Sequence, residues 1–165
     1  MNELATVAIV VPCNNVAHIV DQCINSLIRQ EYPQDKFSII AVNDGSTDNT
    51  KEHLEVFKTH PNFYLFDHEK NKGLSATRNT GIKNSQSEIV CFLDSDMVIR
   101  PDWLQLIVAE FVAEGVIGVI GDKHYQREKI QIYWTIIFTV INVVRGNLKK
   151  IQLSVGGGFF SIIQL

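Results

Sequence analysis

Short, unbroken apolar runs alternate along this chain with longer stretches in which apolar residues recur every three or four positions. Residues 5–11, ATVAIVV, carry no polar alternation, as expected of a strand covered on both faces in a parallel sheet. Ile19, Cys23 and Leu27, flanked by Val20, Ile24 and Ile28, then step by four and predict a helix, with Asn15 available to cap its start. FSIIAV at 37–42 repeats the buried-strand pattern, and NDGSTDNT leads from it into a second helix with Leu54 and Phe57 turned inward. NFYLF at 62–66 predicts a third strand, residues 74–84 a helix after a turn at Gly73, and EIVCFL at 88–93 a fourth strand. Pro101 stands where a further helix would open, with Leu104, Ile107, Val108 and Phe111 as its inward stripe, and GVIGVIG at 115–121 reads as another strand. This alternation predicts an α/β fold: a Rossmann-like, doubly wound, mostly parallel sheet with flanking helices and right-handed crossovers.

Sheets of this kind bind ligands outside the carboxyl ends of their strands. PCNN follows the first predicted strand, NDGS the second and LDSD the fourth, so Asn14, Asp44, Asp94 and Asp96 are expected to converge there.

The totals narrow the function classes. At 165 residues, 45% hydrophobic and 20% charged, the chain suits one folded domain and not a disordered one. A net charge of −3 gives no broad basic face for nucleic acid, so an anionic ligand has to be held locally. Cys13, Cys23 and Cys91 form no CxxC pair, and two of them sit inside apolar patterns, which is expected of buried, reduced thiols in a cytoplasmic setting. The opening MNELATVAIVVPCNN carries Glu3 where a secretory leader would be basic, and reads as a first strand. Ile130–Val144 is an apolar stretch of 15 residues, shorter than the roughly 20 a spanning helix needs. A buried element is the first expectation for it and a peripheral contact with the cytoplasmic membrane face the second.

If the fourth strand continues through Ser95, its two-residue period puts Asp94 and Asp96 on one face. Two carboxylates so placed repel unless a cation joins them, and a hard divalent ion, Mg2+ or Mn2+, takes such ligands and completes its shell with water and substrate phosphates. The plainer alternative is an acidic turn before the helix at Pro101. Asp44 is either a turn residue beside Gly45 or an acceptor for a base or ribose. Arg78 is either a solvated helix residue or, together with the helix start after Asn71, Lys72 and Gly73, a holder of diphosphate.

VVPCNN, VNDGSTDNT, NKGLSATRNTG and FLDSDM, in that order and spacing, closely resemble the family 2 glycosyltransferases of the GT-A fold over roughly residues 5–115. The resemblance implies an inverting transferase that moves a sugar from a nucleotide-diphosphate donor to a saccharide, lipid or protein acceptor, with a divalent metal and no nucleic acid. It implies Pro12 and Asn14 in the base pocket, Asp44 on the base, Asn71, Gly73 and Arg78 along the nucleotide, Asp94 on the ribose or the metal, and Asp96 on the metal. Family members often have an aromatic residue before the Asn of the first motif and an acidic one after it; Cys13 and Asn15 stand there instead. Residues 1–125 would form the nucleotide-sugar-binding core, and 126–165 the start of an incomplete acceptor-side region.

Inverting transfer also needs a base for the acceptor hydroxyl. In the resembled family it lies downstream of a Gly-rich strand, for which VGGGFFSI at 155–162 is the candidate, yet no acidic residue follows Glu128. The base is therefore unassigned, with Asp122, Glu128 and His124 as weak substitutes. A truncated transferase is the preferred expectation, and a domain that binds nucleotide-sugar without turnover is the alternative. Dehydrogenase and Walker-type readings fail, because PCNNVAH lacks the glycines that either would place after the first strand.

Overall fold

The computed structural model describes residues 4–111, and beyond them the backbone of four short strands at 118–119, 124–125, 132–133 and 162–164. The elements run β1 (Val7–Cys13), α1 (Val20–Ile28), β2 (Phe37–Asp44), α2 (Thr50–Glu55), β3 (Phe63–His68), α3 (Leu74–Lys83), β4 (Ile89–Phe92), α4 (Trp103–Glu110), β5 (Gly118–Val119), β6 (His124–Tyr125), β7 (Ile132–Tyr133) and β8 (Ile162–Gln164). The main sheet has the order β3-β2-β1-β4-β8-β5, and β6 pairs with β7. Strands β3, β2, β1 and β4 are parallel, whereas β8 is antiparallel to both β4 and β5.

The apolar runs become central strands because both of their faces are covered. Val7, Ile9 and Val11 pack on one side with Val20, Cys23, Ile24 and Leu27 of α1 and with Leu104 and Ile107 of α4. Ala8 and Val10 pack on the other side with Ile40, Val42, Val90 and Phe92, covered by Ile82 of α3. Each large aliphatic side chain fully buried in this way contributes about 1.5–3 kcal/mol before entropy is charged against it. Helix α3 lies close to β1: a Cβ at position 81 would run into the side chain of Val10, so only glycine permits this approach.

The chain winds outward from β1 to β2 to β3 and then crosses back to β4 on the opposite side of β1. The direction of winding thus reverses between β1 and β4, and that reversal opens a crevice at their carboxyl ends. The expected doubly wound, mostly parallel α/β sheet is what forms.

Several boundaries differ from expectation. Strand β4 does not continue through Ser95; it ends at Phe92, and Asp94, Ser95 and Asp96 lie in a turn closed by the Met97 amide on the Asp94 carbonyl at 3.2 Å. Pro12 on β1 is the cause. The Leu93 amide donates to the Val10 carbonyl at 3.0 Å, and the next rung would need the N–H of residue 12, which proline lacks. Asn15 does not cap α1 either, since that helix starts at Val20 behind Ile19 with no side-chain cap. Strand β3 runs two residues past Phe66 to His68. Of the expected strand at 115–121, Gly118 and Val119 are paired; of the expected strand at 155–162, Ile162 opens β8 and the rest lies outside the described residues. The remainder of the expected acceptor-side region at 126–165, including most of the apolar stretch Ile130–Val144 and the candidate base Glu128, lies outside the described residues, as does the candidate base Asp122. Among the described residues no helix is long and apolar enough to cross a membrane.

Candidate functional site

At the carboxyl edge the loops after β1 and β2 are knitted into one surface. The Asn14 side-chain amide donates to the Asp44 carbonyl at 2.8 Å. Asn15, at a φ of +54°, accepts from the Thr47 amide at 2.8 Å and donates its own amide to the Ser46 hydroxyl at 3.0 Å. Asparagine tolerates this left-handed conformation better than most residues. The Val16 amide donates to the Thr50 hydroxyl, which in turn donates to the Asp48 carboxylate. Gly45, at a φ of +62°, brings β2 against the backbone of Lys70 and Asn71, which any Cβ would strike.

Asp44 ends β2 in a buried position. Its carboxylate accepts from the Lys72 amide and the Gly73 amide at 2.9 Å each, and from His68 Nδ1 at 2.6 Å. Burial by itself would raise its pKa, but the His68 hydrogen bond and the two backbone amides outweigh burial and hold the carboxyl below its ordinary value. Asp44 thereby fixes the turn that starts α3, with Asn71 Oδ1 accepting a further bond from the Gly73 amide at 3.0 Å.

From α3, Arg78 reaches across the ring of Phe92, with its guanidinium carbon 5.5 Å from the ring centroid. Its Nη2 lies 3.9 Å from Asp94 Oδ1, and its buried Nε has no hydrogen-bond partner. Asp94 is partly exposed, Asp96 exposed and Ser95 buried between them. Beneath this turn the Cys23 thiol faces the Asp94 carbonyl at 3.8 Å. Burial pushes that thiol up to about 12, and the Asp96 and Asp94 charges add to the effect against an opposing hydrogen bond from Met97.

The structure therefore brings together Pro12, Asn14 and Asp44 at the ends of β1 and β2, Asn71, Gly73 and Arg78 at the start of α3, and Asp94 and Asp96 beyond β4. Sequence reasoning missed His68, which bridges Asp44 and Thr80 Oγ1 (2.9 Å). Its signal was register: His68 pairs with Asp44 across β2 and β3, but the third strand was expected to stop at Phe66. A cavity of about 430 Å3 opens at the opposite, amino-terminal edge of the sheet, lined by Thr6, Phe37, Ser38, Asn62 and Ser87.

The donor set of the DSD turn is all oxygen and supplies two carboxylates. No cluster of three or more His, Cys, Asp or Glu side chains able to hold a metal occurs among the described residues. Two carboxylates are few for a closed protein site, yet they suit a hard divalent ion that keeps waters and takes phosphate oxygens. The donor chemistry of Asp94 and Asp96 suits such an ion.

Comparison with known proteins agrees with this geometry. The family model described as Glycosyl transferase family 2 matches residues 8–164. The glycosyltransferase AglE of Haloferax volcanii is 33% identical over 125 residues, an alignment that takes in 75% of this chain and 41% of AglE. Among solved structures, TarS 1–349 of S. aureus in complex with UDP-GlcNAc aligns with a TM-score of 0.62 and 30% identity, over 69% of this chain and 33% of that one. The mannosyltransferase PcManGT of Pyrobaculum calidifontis, in complex with GDP-Man and Mn2+, aligns with a TM-score of 0.67 and 26% identity, over 70% and 35%. The chain thus spans less than half the length of these relatives. With the matching family model covering nearly its whole length and both structural relatives sharing its parallel sheet, the chain belongs to glycosyl transferase family 2 and has the GT-A fold.

Proposed function

We propose that this chain holds the nucleotide-diphosphate sugar donor of an inverting glycosyl transfer to an acceptor hydroxyl. The observation that carries the reading is Arg78. Its guanidinium stands beside Asp94 at the winding reversal, with a buried Nε that lacks a partner. A buried donor left unpaired costs stability, and phosphate oxygens at that place would satisfy it. Pro12 and Asn14 would flank the base, Asp44 would set the β2 end of the base pocket, and Asn71 and Gly73 would lie along the nucleotide.

Asp94 and Asp96 would hold a divalent ion, which when bound supplies positive charge against the departing diphosphate. In the transfer the acceptor oxygen bonds to the anomeric carbon as the bond from that carbon to the diphosphate oxygen breaks, and a base takes the hydroxyl proton. The acceptor would be a saccharide, a lipid or a protein. The three buried, unpaired thiols support a reducing, cytoplasmic setting for the reaction.

Titrating UDP-GlcNAc and GDP-mannose by calorimetry with and without Mn2+, followed by an assay for released nucleoside diphosphate, tests the reading. Metal-dependent binding of one donor is expected, and absence of binding to any nucleotide-sugar under both conditions overturns it.

A further inference from the structure

His68 is a buried polar group at this edge that the proposed chemistry leaves unused. It ends β3 and is 8% exposed. A carboxylate can only accept, so the 2.6 Å contact to Asp44 places the proton of His68 on Nδ1. Nε2 faces the Thr80 hydroxyl at 2.9 Å, and that hydroxyl also lies 3.1 Å from the Ala76 carbonyl. Helix α3 is therefore tied to the sheet at two places. Asp44 grips the turn that leads into it through the Lys72 and Gly73 amides, and His68 grips the helix itself at Thr80. Arg78 projects from between the two ties, and Gly81 lets the helix lie close enough for both.

We propose that His68 is a positioning residue, which fixes Asp44 and Thr80 together so that α3 presents Arg78 to the diphosphate of the donor. The proposal rests on the donor-binding reading above. His68 acts on the ligand only through its two partners. Without the ring, the buried Asp44 carboxylate loses its shortest hydrogen bond and Thr80 its link to the sheet, leaving the Lys72–Gly73 turn less firmly held.

The test uses the whole chain and two readouts, one of them independent of nucleotide. In the absence of ligand, His68→Leu should speed amide exchange at Lys72 and Gly73 about tenfold, the scale of one lost hydrogen bond to a charged group. His68→Asn keeps a donor near the Nδ1 position and should restore protection to within about threefold of wild type. The Kd for the bound nucleoside diphosphate should follow the same pattern, whereas a merely space-filling role would be served as well by leucine as by asparagine. Unchanged exchange in a folded His68→Leu, or equal losses in the leucine and asparagine variants, overturns the proposal. Should His68→Leu fail to fold, Thr80→Val decides: weakened nucleotide binding supports the two-point tie, and wild-type affinity overturns it. A wild type that binds no nucleoside diphosphate would sink the donor-binding reading, while the exchange pattern would still decide whether His68 holds the turn.

Discussion

Asn14 donates its side-chain amide to the backbone carbonyl of Asp44 at 2.8 Å, across a separation of 30 residues in sequence. The contact continues the link between β1 and β2 past their last paired residues, Cys13 and Asn43. Two positions expected to meet a nucleotide are thereby one mechanical unit. The ends of β1 and β2 and the start of α3 are built from a single hydrogen-bonded edge.

Asp44 gives that edge an acid-sensitive stability. Its folded pKa lies below the ordinary carboxylate value, so its contribution is complete above the unfolded value of about 3.9 and is lost as pH falls through the lower folded one. Asp44→Asn would turn an amide donor toward a backbone N–H and should cost about 1–3 kcal/mol at neutral pH. Urea denaturation at pH 7 and again near about pH 3 should show the gap to wild type narrowing in acid. An equal gap at both values contradicts the assignment.

Asp96 is exposed and belongs to no strand, so its removal should leave the fold alone. Asp96→Ala is expected to keep the thermal midpoint within a few degrees while abolishing Mn2+-dependent nucleotide binding. Calorimetry with and without the ion checks this, and unchanged metal-dependent affinity would remove Asp96 from the ligand set.

Gly81 sets the distance between α3 and β1. Gly81→Ala places a methyl against Val10 and should destabilise by about 1–3 kcal/mol, as overpacked cores do. Adding Val10→Ala should return part of that loss as a measurable coupling in a double-mutant cycle. Purely additive costs would show that the two residues do not meet.

The thiols should be inert in the native state. Cys13, Cys23 and Cys91 are buried and unpaired, and burial raises all three pKa values, that of Cys23 to about 12. Ellman's reagent should find no rapidly reacting thiol until denaturant is added, and a fast stoichiometric reaction at pH 8 would contradict the packing around α1.

The four parallel strands and the helices between them were legible because buried runs and four-residue stripes are local signals. Asn15 shows where local reading fails: its side chain has the chemistry of a cap, but Thr47 from the next loop captures it. The DSD segment shows a second kind of failure, since β4 is stopped by a proline on its neighbour β1 and not by its own residues. His68 was invisible for a third reason, as nothing within its own strand distinguishes a solvated histidine from one that meets Asp44 and Thr80.

By itself, the order of apolar runs and polar clusters determined the class of sheet, its carboxyl edge and the family resemblance, because each depends on periodicity and spacing along one strand of chain. Tertiary structure decided which polar side chains at that edge are committed to partners within the protein and which keep a donor unpaired. Asp44 is taken up by His68 and by the amides that start α3, whereas Arg78 keeps a buried donor without a partner. That division depends on partners brought together only when β1, β2, β3 and α3 pack, and hydrogen bonds between residues 24 or more apart leave no mark in the local pattern of either one.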